Sequence, residues 1–132
     1  MSIRSTVGKI LVGASLAVVA VGTTFANPPS GGGGGTGIDF YPLRVEAIGK
    51  TTITGSQPYT VISTVQLKSN LGYSCSDTKS AEKMSKGEVK AACHFDLEPS
   101  ASKLTANTHH TWKYADSQNV WHVWEATSQA KR

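Results

Sequence analysis

The sequence predicts a small domain that is all-β, or mainly β with one short helix, folded as a disulfide-stapled antiparallel sandwich or barrel. Polar and apolar residues alternate with a period of two over most of the chain after Gly37, which is typical of strands with one buried face. Cys75 and Cys93 are the only cysteines. The 132 residues, less a leader of 26, leave 106, which is enough for one small domain.

Residues 1–26 have the pattern of a cleaved secretory signal peptide. Arg4 and Lys9 flank a polar start, an apolar run follows from Ile10 to Gly22, and small residues up to Ala26 suit a signal peptidase. We expect cleavage after Ala26 and an exported protein, periplasmic or extracellular; an uncleaved anchor is the alternative. The short Ala- and Val-rich run favours a bacterial origin.

The charge of the mature chain is close to neutral. Thirteen basic residues face nine acidic ones, and Arg4 and Lys9 belong to the leader, so eleven basic groups remain and the excess falls to +2. Nucleic-acid binding rests on a dense basic surface. We therefore expect no nucleic-acid partner.

Residues 27–37 are rich in proline and glycine and predict a flexible arm. Polyglycine loses the most backbone entropy in any fixed conformation and has no side chains for a core. A spacer is the simplest interpretation. The alternatives are a tether that holds the domain away from a surface, or an arm that becomes ordered against a partner.

A single β-domain is expected over residues 38–128, and its first part contains three strand segments. The segment from Tyr41 to Ala47 carries Pro42, which indicates an edge strand. Residues 51–54 form a second segment, and Gly55-Ser-Gln-Pro58 predicts a turn. The third segment has Tyr59, Val61, Val65 and Leu67 on one face and β-forming residues on the other, which favours a central position.

Both cysteines fall on apolar faces of the segments that contain them. Cys75 has the parity of Leu71 and Tyr73, and Cys93 has the parity of Val89, Ala91 and Phe95. We expect a buried disulfide, since two thiols without Cys-x-x-Cys spacing make a poor zinc or redox site. The closed loop of roughly 18 residues would contribute about 3 kcal/mol.

Alternation is lost over residues 77–87, where one or two helical turns are expected. Asp77 is suited to the start of a helix and Gly87 to its end. A helix would align Lys79, Lys83 and Lys86 on one face, which makes them a weak candidate anion site. A solvated lysine face explains them more simply, and membrane contact is expected only if this face binds anionic lipid.

The C-terminal third predicts a β-hairpin that contains all three tryptophans. The even positions from Leu104 to Tyr114 are largely apolar, and a four-residue loop over 116–119 would pair Ala115 with Val120. This register buries Trp112, Tyr114, Trp121 and Val123 together. It leaves Lys113, His122 and Trp124 on the opposite face as the candidate partner-binding patch, although a one-residue slip would change the pairing.

No catalytic, cofactor-binding or metal-binding motif is apparent in the sequence, so we expect no enzyme and no cofactor. The leading hypothesis is a secreted or periplasmic protein-binding module, such as an inhibitor or immunity-type protein acting on an exported toxin or enzyme. One alternative is a surface-filament or adhesin subunit that adds the N-terminal arm as a strand to a neighbour. Another is a small secreted toxin or membrane-active protein that uses the lysine face.

Overall fold

The computed structural model describes residues 28–96 and 103–132, so the predicted signal peptide and its cleavage site lie outside the described residues. The fold class is confirmed: the described residues form one curled antiparallel sheet, a half-barrel, and contain no helix. None of them therefore lies in a helix long and apolar enough to cross a bilayer. The strands are β1 (Gly32–Tyr41), β2 (Arg44–Ser69), β3 (Ser74–Asp96), β4 (Leu104–Ala115) and β5 (Trp121–Lys131).

The central element of the sheet is β2, as the pattern from Tyr59 onwards predicts. One edge of β2 pairs with β3 along nearly its whole length. The other edge pairs first with β1 and then with β4, which in turn pairs with β5. From Arg44 onwards the three predicted segments are parts of one strand, whereas Tyr41 ends β1 and Pro42 lies in the turn between β1 and β2. The edge strand predicted from Pro42 is therefore wrong, because residues 44–47 are paired with β1 on one side and with β3 on the other.

The long β2–β3 hairpin bends at its middle. The pairing is irregular between Thr54 and Tyr59, where the predicted turn at residues 55–58 is a bulge within the strand. On β3, Lys83 has a φ of 56° and Gly87 has a φ of 147°, so the facing segment also departs from extended geometry. Because both strands bend at the same level, the two halves of the hairpin face each other.

The disulfide between Cys75 and Cys93 is confirmed, and it joins the two halves of a single strand. A straight strand would separate residues 18 apart by about 60 Å, yet the two Cα atoms are 5.9 Å apart. Close to the bridge, a side-chain oxygen of Asp77 accepts a 3.0 Å hydrogen bond from the Ala92 amide. The bond and the bridge together hold β3 folded over on itself.

The helix expected over residues 77–87 is absent, because this segment is part of β3. Residues 76–81 pair with the second half of β2, and Gly87 pairs with Ile53. Asp77 does not cap a helix; it accepts hydrogen bonds from Ala92 and from the Lys79 ammonium. Weak alternation here reflects sparse burial, since Ala81 and Met84 are the apolar residues that pack against the core.

The prediction of a flexible arm over residues 27–37 is wrong from Gly32 onwards, because the glycine run forms strand β1. Each residue from Gly32 to Tyr41 has a partner in β2, beginning with Gly32 opposite Ile53 and ending with Tyr41 opposite Arg44. Composition indicates flexibility here because it reports only local backbone preference and contains no information on the strand that pairs with β1. The structural domain therefore extends beyond the predicted bounds of 38–128 at both ends, from β1 to β5.

The core consists of two apolar clusters inside the curl. The cluster beside the disulfide, called here the stapled end, is built from small and aliphatic side chains: Ile38, Val45, Ala47, Val65, Leu67, Ala91, Cys93, Leu104, Ala106 and Ala130. The other, called the hairpin end, contains Ile53, Tyr59, Val61, Val89, Trp112 and Ala126, with Ala81, Met84, Tyr114 and Trp124 packed against it.

The β4–β5 hairpin exists as predicted, but its register differs by one residue. Asp116 pairs with Val120 through its backbone amide, and Asn119 has a left-handed φ of 61°. The Asp116 carboxylate also accepts hydrogen bonds from the Gln118 and Val120 amides. These bonds create a three-residue loop, a common hairpin type, and so Ala115 lies opposite Trp121 instead of Val120.

Candidate functional site

A belt of buried polar side chains separates the two apolar clusters. It consists of Thr36, Thr51, Ser63, Thr108, His110 and Ser128, which come from β1, β2, β4 and β5. Buried polar groups are costly unless they are hydrogen-bonded. Each member is bonded within the belt, except Ser63, whose hydroxyl donates to the Gly49 carbonyl at 2.9 Å.

His110 is the centre of this belt. Burial, and to a smaller extent charge repulsion from the neighbouring His109, lowers the pKa of His110 to about 3. The imidazole is therefore neutral at neutral pH, with one ring nitrogen that donates and one that accepts. Its Nδ1 lies 2.7 Å from Thr51 Oγ1 and its Nε2 lies 2.8 Å from Ser128 Oγ.

The hydrogen bonds of the belt have one consistent direction. Thr36 donates its single hydroxyl hydrogen to Thr108, so Ser128 must donate to Thr36 across their 2.6 Å contact. Ser128 then accepts from His110 Nε2, and His110 Nδ1 accepts from Thr51. The chain of donors fixes the tautomer of His110 and aligns four strands at one level.

The histidine and serine of the belt resemble parts of a hydrolytic site in composition only. A nucleophile must contact a substrate, and Ser128 and His110 are both buried. The Ser128 hydroxyl accepts from His110 Nε2 and gives its own hydrogen to Thr36, so the imidazole does not act on it as a base. We assign these residues a structural role, which is to specify how the two halves of the curl fit together.

Two glycines make the belt possible. A Cβ atom at Gly34 would lie 2.7 Å from His110 Cε1, and one at Gly49 would overlap the side chain of Thr108. Real Cβ atoms do not approach other heavy atoms so closely. The glycine run of β1 therefore contains at least one position where the absence of a side chain lets β1 approach the imidazole.

On the inner face of the hairpin, aromatic rings form a stack that continues from the hairpin-end cluster. Tyr114 lies parallel to His122 and to Trp124, with centroids 4.9 Å and 5.8 Å away, and its ring meets Tyr59 edge to face at 5.4 Å. The His122 side chain also contacts the Asp116 carboxylate at 3.0 Å, and this hydrogen bond is the largest cause of the lowered pKa of Asp116.

The structure does not bring the predicted patch of Lys113, His122 and Trp124 together on one face. His122 and Trp124 lie on the inner face within the stack, whereas Lys113 lies on the outer face opposite Val123. The one-residue difference in register is the reason, because it moves every residue of β5 to the other side of the strand relative to β4. The predicted buried group changes likewise, since Trp121 and Val123 are exposed.

The outer face of the hairpin carries a different apolar surface, the hairpin patch, made of Lys113, Trp121 and Val123, and Val120 is exposed at the adjoining turn. Trp121 is 58% exposed and both valines are 51% exposed. The Lys113 ammonium lies over the Trp121 ring, 5.4 Å from its centroid, in a cation–π contact. Sequence reasoning missed this surface; the signal was Asp116 followed by Asn119, a pair compatible with the shorter loop.

Several of the remaining ionisable side chains of the described residues lie in isolated pairs or at the bend of β3. In the part of the chain that the structure describes, no three His, Cys, Asp or Glu side chains are placed to hold one ion. His109 contacts Glu125 at 2.7 Å as an isolated surface pair. The predicted lysine face is not formed either: Lys79 contacts Asp77 on β3, and Lys83 lies at the bend.

The fold defines this chain as a small, all-β, disulfide-stapled protein with a curled antiparallel sheet. Comparisons with protein-family models, with curated proteins and with solved structures give no match to it.

Proposed function

We propose that this chain is an exported, non-catalytic protein-binding module that contacts another protein through the hairpin patch. The observation that carries the proposal is the exposure of Trp121 beside Val123 on the outer face of the hairpin. Large apolar side chains grouped at a surface mark interaction sites, and tryptophan is among the most effective interface anchors.

The hairpin is well suited to present this patch in a fixed conformation. Pairing of β4 with β2 stops at Lys113, whereas β4 and β5 remain paired out to Ala115 and Trp121, so the last residues of the hairpin pair only with each other. The aromatic stack supports the tip from the inner face. A preformed surface loses less entropy on binding than a flexible one.

Export is supported by the leader pattern and by the disulfide, which suits an oxidising compartment such as the periplasm or the extracellular medium. A partner of the kind expected is an exported toxin or enzyme that the module inhibits or neutralises. Addition of the N-terminal arm to a neighbour receives less support, because β1 would first have to separate from β2 along its length.

The test begins with the partner recovered from the native exported fraction, whose affinity for the purified protein is then measured. We expect Trp121→Ala to weaken the complex by at least about 30-fold, which corresponds to an anchor of about 2 kcal/mol. The free energy of unfolding of the variant should lie within about 0.5 kcal/mol of that of the native protein, because the Trp121 side chain is exposed.

Lys90→Ala provides the matched control, since Lys90 is also exposed and lies on the first half of the folded hairpin, away from the patch. It should leave the affinity unchanged. A complex that tolerated both Trp121→Ala and Val123→Asp would contradict the proposed contact surface. Turnover of a substrate by the purified protein would contradict the non-catalytic role.

A further inference from the structure

The turns at the stapled end form a second exposed apolar surface, on the opposite end of the molecule from the hairpin patch. Five of the eight large hydrophobic side chains exposed among the described residues lie here, and we call them the turn-end patch: Phe40, Tyr41, Leu43, Leu71 and Tyr73. The most exposed of the five is Leu43, at 82%.

Strand pairing brings the two turns of the patch to the same end. The β1–β2 turn follows Tyr41 and precedes Arg44, which pairs with Asp96 at the end of β3. The ring of Tyr73, after the β2–β3 turn, lies 5.9 Å from the ring of Phe95. The disulfide lies directly behind, so the separation of the two turns is fixed covalently.

Cations surround the apolar tips. The guanidinium of Arg44 lies 4.7 Å from the centre of the Tyr41 ring, and that of Arg132 lies 4.9 Å from the centre of the Phe40 ring. Within the described part of the chain neither arginine forms an ion pair with a carboxylate. Three lysines of the same end add to the charge: Lys68, Lys103 and Lys131.

Among the described residues, the acidic side chains at this end are fewer than the cations and partly engaged. They are Asp39, Glu46 and Asp96, against five cations, and Glu46 accepts a 3.3 Å hydrogen bond from the Tyr41 hydroxyl. The side-chain charge of this end, counted over the described residues, is therefore positive even though the predicted mature chain is close to neutral. A partner surface that complements this end is negative and has an apolar layer behind the charge.

We propose that the turn-end patch docks on a lipid bilayer with anionic headgroups. Leu43 and Leu71 lie at the turn tips, the aromatic rings lie at the strand ends behind them, and the arginines lie beside the rings. A bilayer has the same order of layers, with hydrocarbon deepest, an aromatic-rich interface next and phosphates outermost. Two projecting turns suit a deformable lipid surface better than a flat, rigid protein surface.

The bilayer contact is independent of the hairpin patch, which lies at the other end of β4 and β5. A protein docked by its turns would therefore leave the hairpin pointing away from the membrane. The chain would hold its protein partner near a membrane surface, although either contact could exist without the other.

Co-sedimentation with vesicles tests this proposal, with phosphatidylcholine alone compared with phosphatidylcholine mixed with phosphatidylglycerol. The leader itself has an apolar run, so the full chain and a chain beginning at Asn27 are both measured; the described strand pairings and both core clusters lie within the shorter form. We expect the shorter form to bind the mixed vesicles at least about tenfold better than the zwitterionic ones, and added salt to weaken binding.

Leu43→Asp should lower binding of the shorter form to mixed vesicles at least about tenfold. Arg132→Gln should lower this binding about fivefold, because it removes one cation near an anionic surface. Trp121→Asp at the hairpin patch provides the matched control and should bind like the native chain. Leu43 and Trp121 are both exposed, and thermal unfolding checks that the variants are folded.

Three results would overturn the proposal. The first is equal or no binding of the shorter form to the two kinds of vesicle. The second is unchanged binding by Leu43→Asp, and the third is loss of binding by Trp121→Asp to the same extent. If Leu43→Asp instead abolished a complex with a protein while native vesicle binding was absent, the patch would be a protein interface and not a membrane contact.

Discussion

The stapled end and the hairpin end of this protein are stabilised in different ways within one sheet. The stapled end packs small side chains such as Ala47, Ala91 and Ala106, and a disulfide joins the two halves of β3 there. The hairpin end uses large rings, with Trp112 in its core and Tyr59 at the bend. Where the side chains are small, a covalent bond adds stability; where the rings are large, burial provides it.

The surfaces of the two ends show the opposite distribution. The stapled end exposes aromatic rings at its turns, and the hairpin end exposes Trp121 and Val123 on its outer face. Aromatic content along the sequence is thus a poor indication of where a contact surface lies. The side of the strand on which each ring falls decides it.

The largest effect is expected for Trp112→Ala, which removes the main ring of the hairpin-end core. Trp112 is 1% exposed, and its indole N–H donates a 2.8 Å hydrogen bond to the Thr52 carbonyl. We expect the free energy of unfolding, measured by chemical denaturation, to fall by about 3–5 kcal/mol. A loss below about 1 kcal/mol would contradict the importance assigned to this ring.

Removal of the disulfide should have a somewhat smaller effect at the stapled end. The bridge joins cysteines with a sequence separation of 18. The double variant Cys75→Ala, Cys93→Ala should therefore have a free energy of unfolding about 3 kcal/mol lower than that of the native protein. The native protein in reductant serves as the control and should reproduce this change. Unchanged stability in both cases would show that packing alone holds β3 folded over.

Acidification should weaken the polar belt that lies between the two ends. Burial lowers the pKa of His110 from 6.5 to about 3, so the unfolded chain binds a proton that the folded chain rejects between these values. The contribution of neutral His110 to the free energy of unfolding is complete above pH 6.5. As the pH falls below this value, the free energy of unfolding decreases by at most about 1.4 kcal/mol per pH unit. Denaturation measured across this range provides the check.

His110→Gln is the matched variant for the pH measurement. At neutral pH its free energy of unfolding should be lower than that of the native protein, because the belt loses the imidazole ring. Between about pH 4.5 and 6.5 its free energy of unfolding should be nearly independent of pH. The pKa values of Asp77 and Asp116 are lowered from 3.8, so these carboxyls lose their contribution in more acidic solution. A variant with the same pH dependence as the native protein would exclude His110 as its source.

A large part of the fold could be predicted from the sequence. The parity of Tyr59, Val61, Val65 and Leu67, and of the even residues from Leu104 to Trp112, indicated the buried faces correctly, because period-two alternation reports burial on one side of a strand. The disulfide followed from two cysteines on apolar faces. These signals are local, and each segment contains them within a few residues.

The candidate site was less predictable than the fold. The choice of Lys113, His122 and Trp124 depended on the length of one loop, and hydrogen bonds from Asp116 together with the left-handed Asn119 set that length. The glycine run and residues 77–87 were misassigned because their conformation depends on β2 as a partner. Intrinsic preference is weak compared with a complete ladder of hydrogen bonds.

The sequence by itself determined the all-β class, the buried faces of the segment from Tyr59 to Leu67 and of β4, and which two sulfurs bond, since alternation and cysteine count act through short-range patterns. Tertiary structure alone decided that β2 and β3 bend, that polyglycine becomes a strand against His110, and which tryptophan reaches the surface. The physical reason is that strand pairing joins residues distant in the chain, and a shift of one position exchanges the inside of a sheet with its outside.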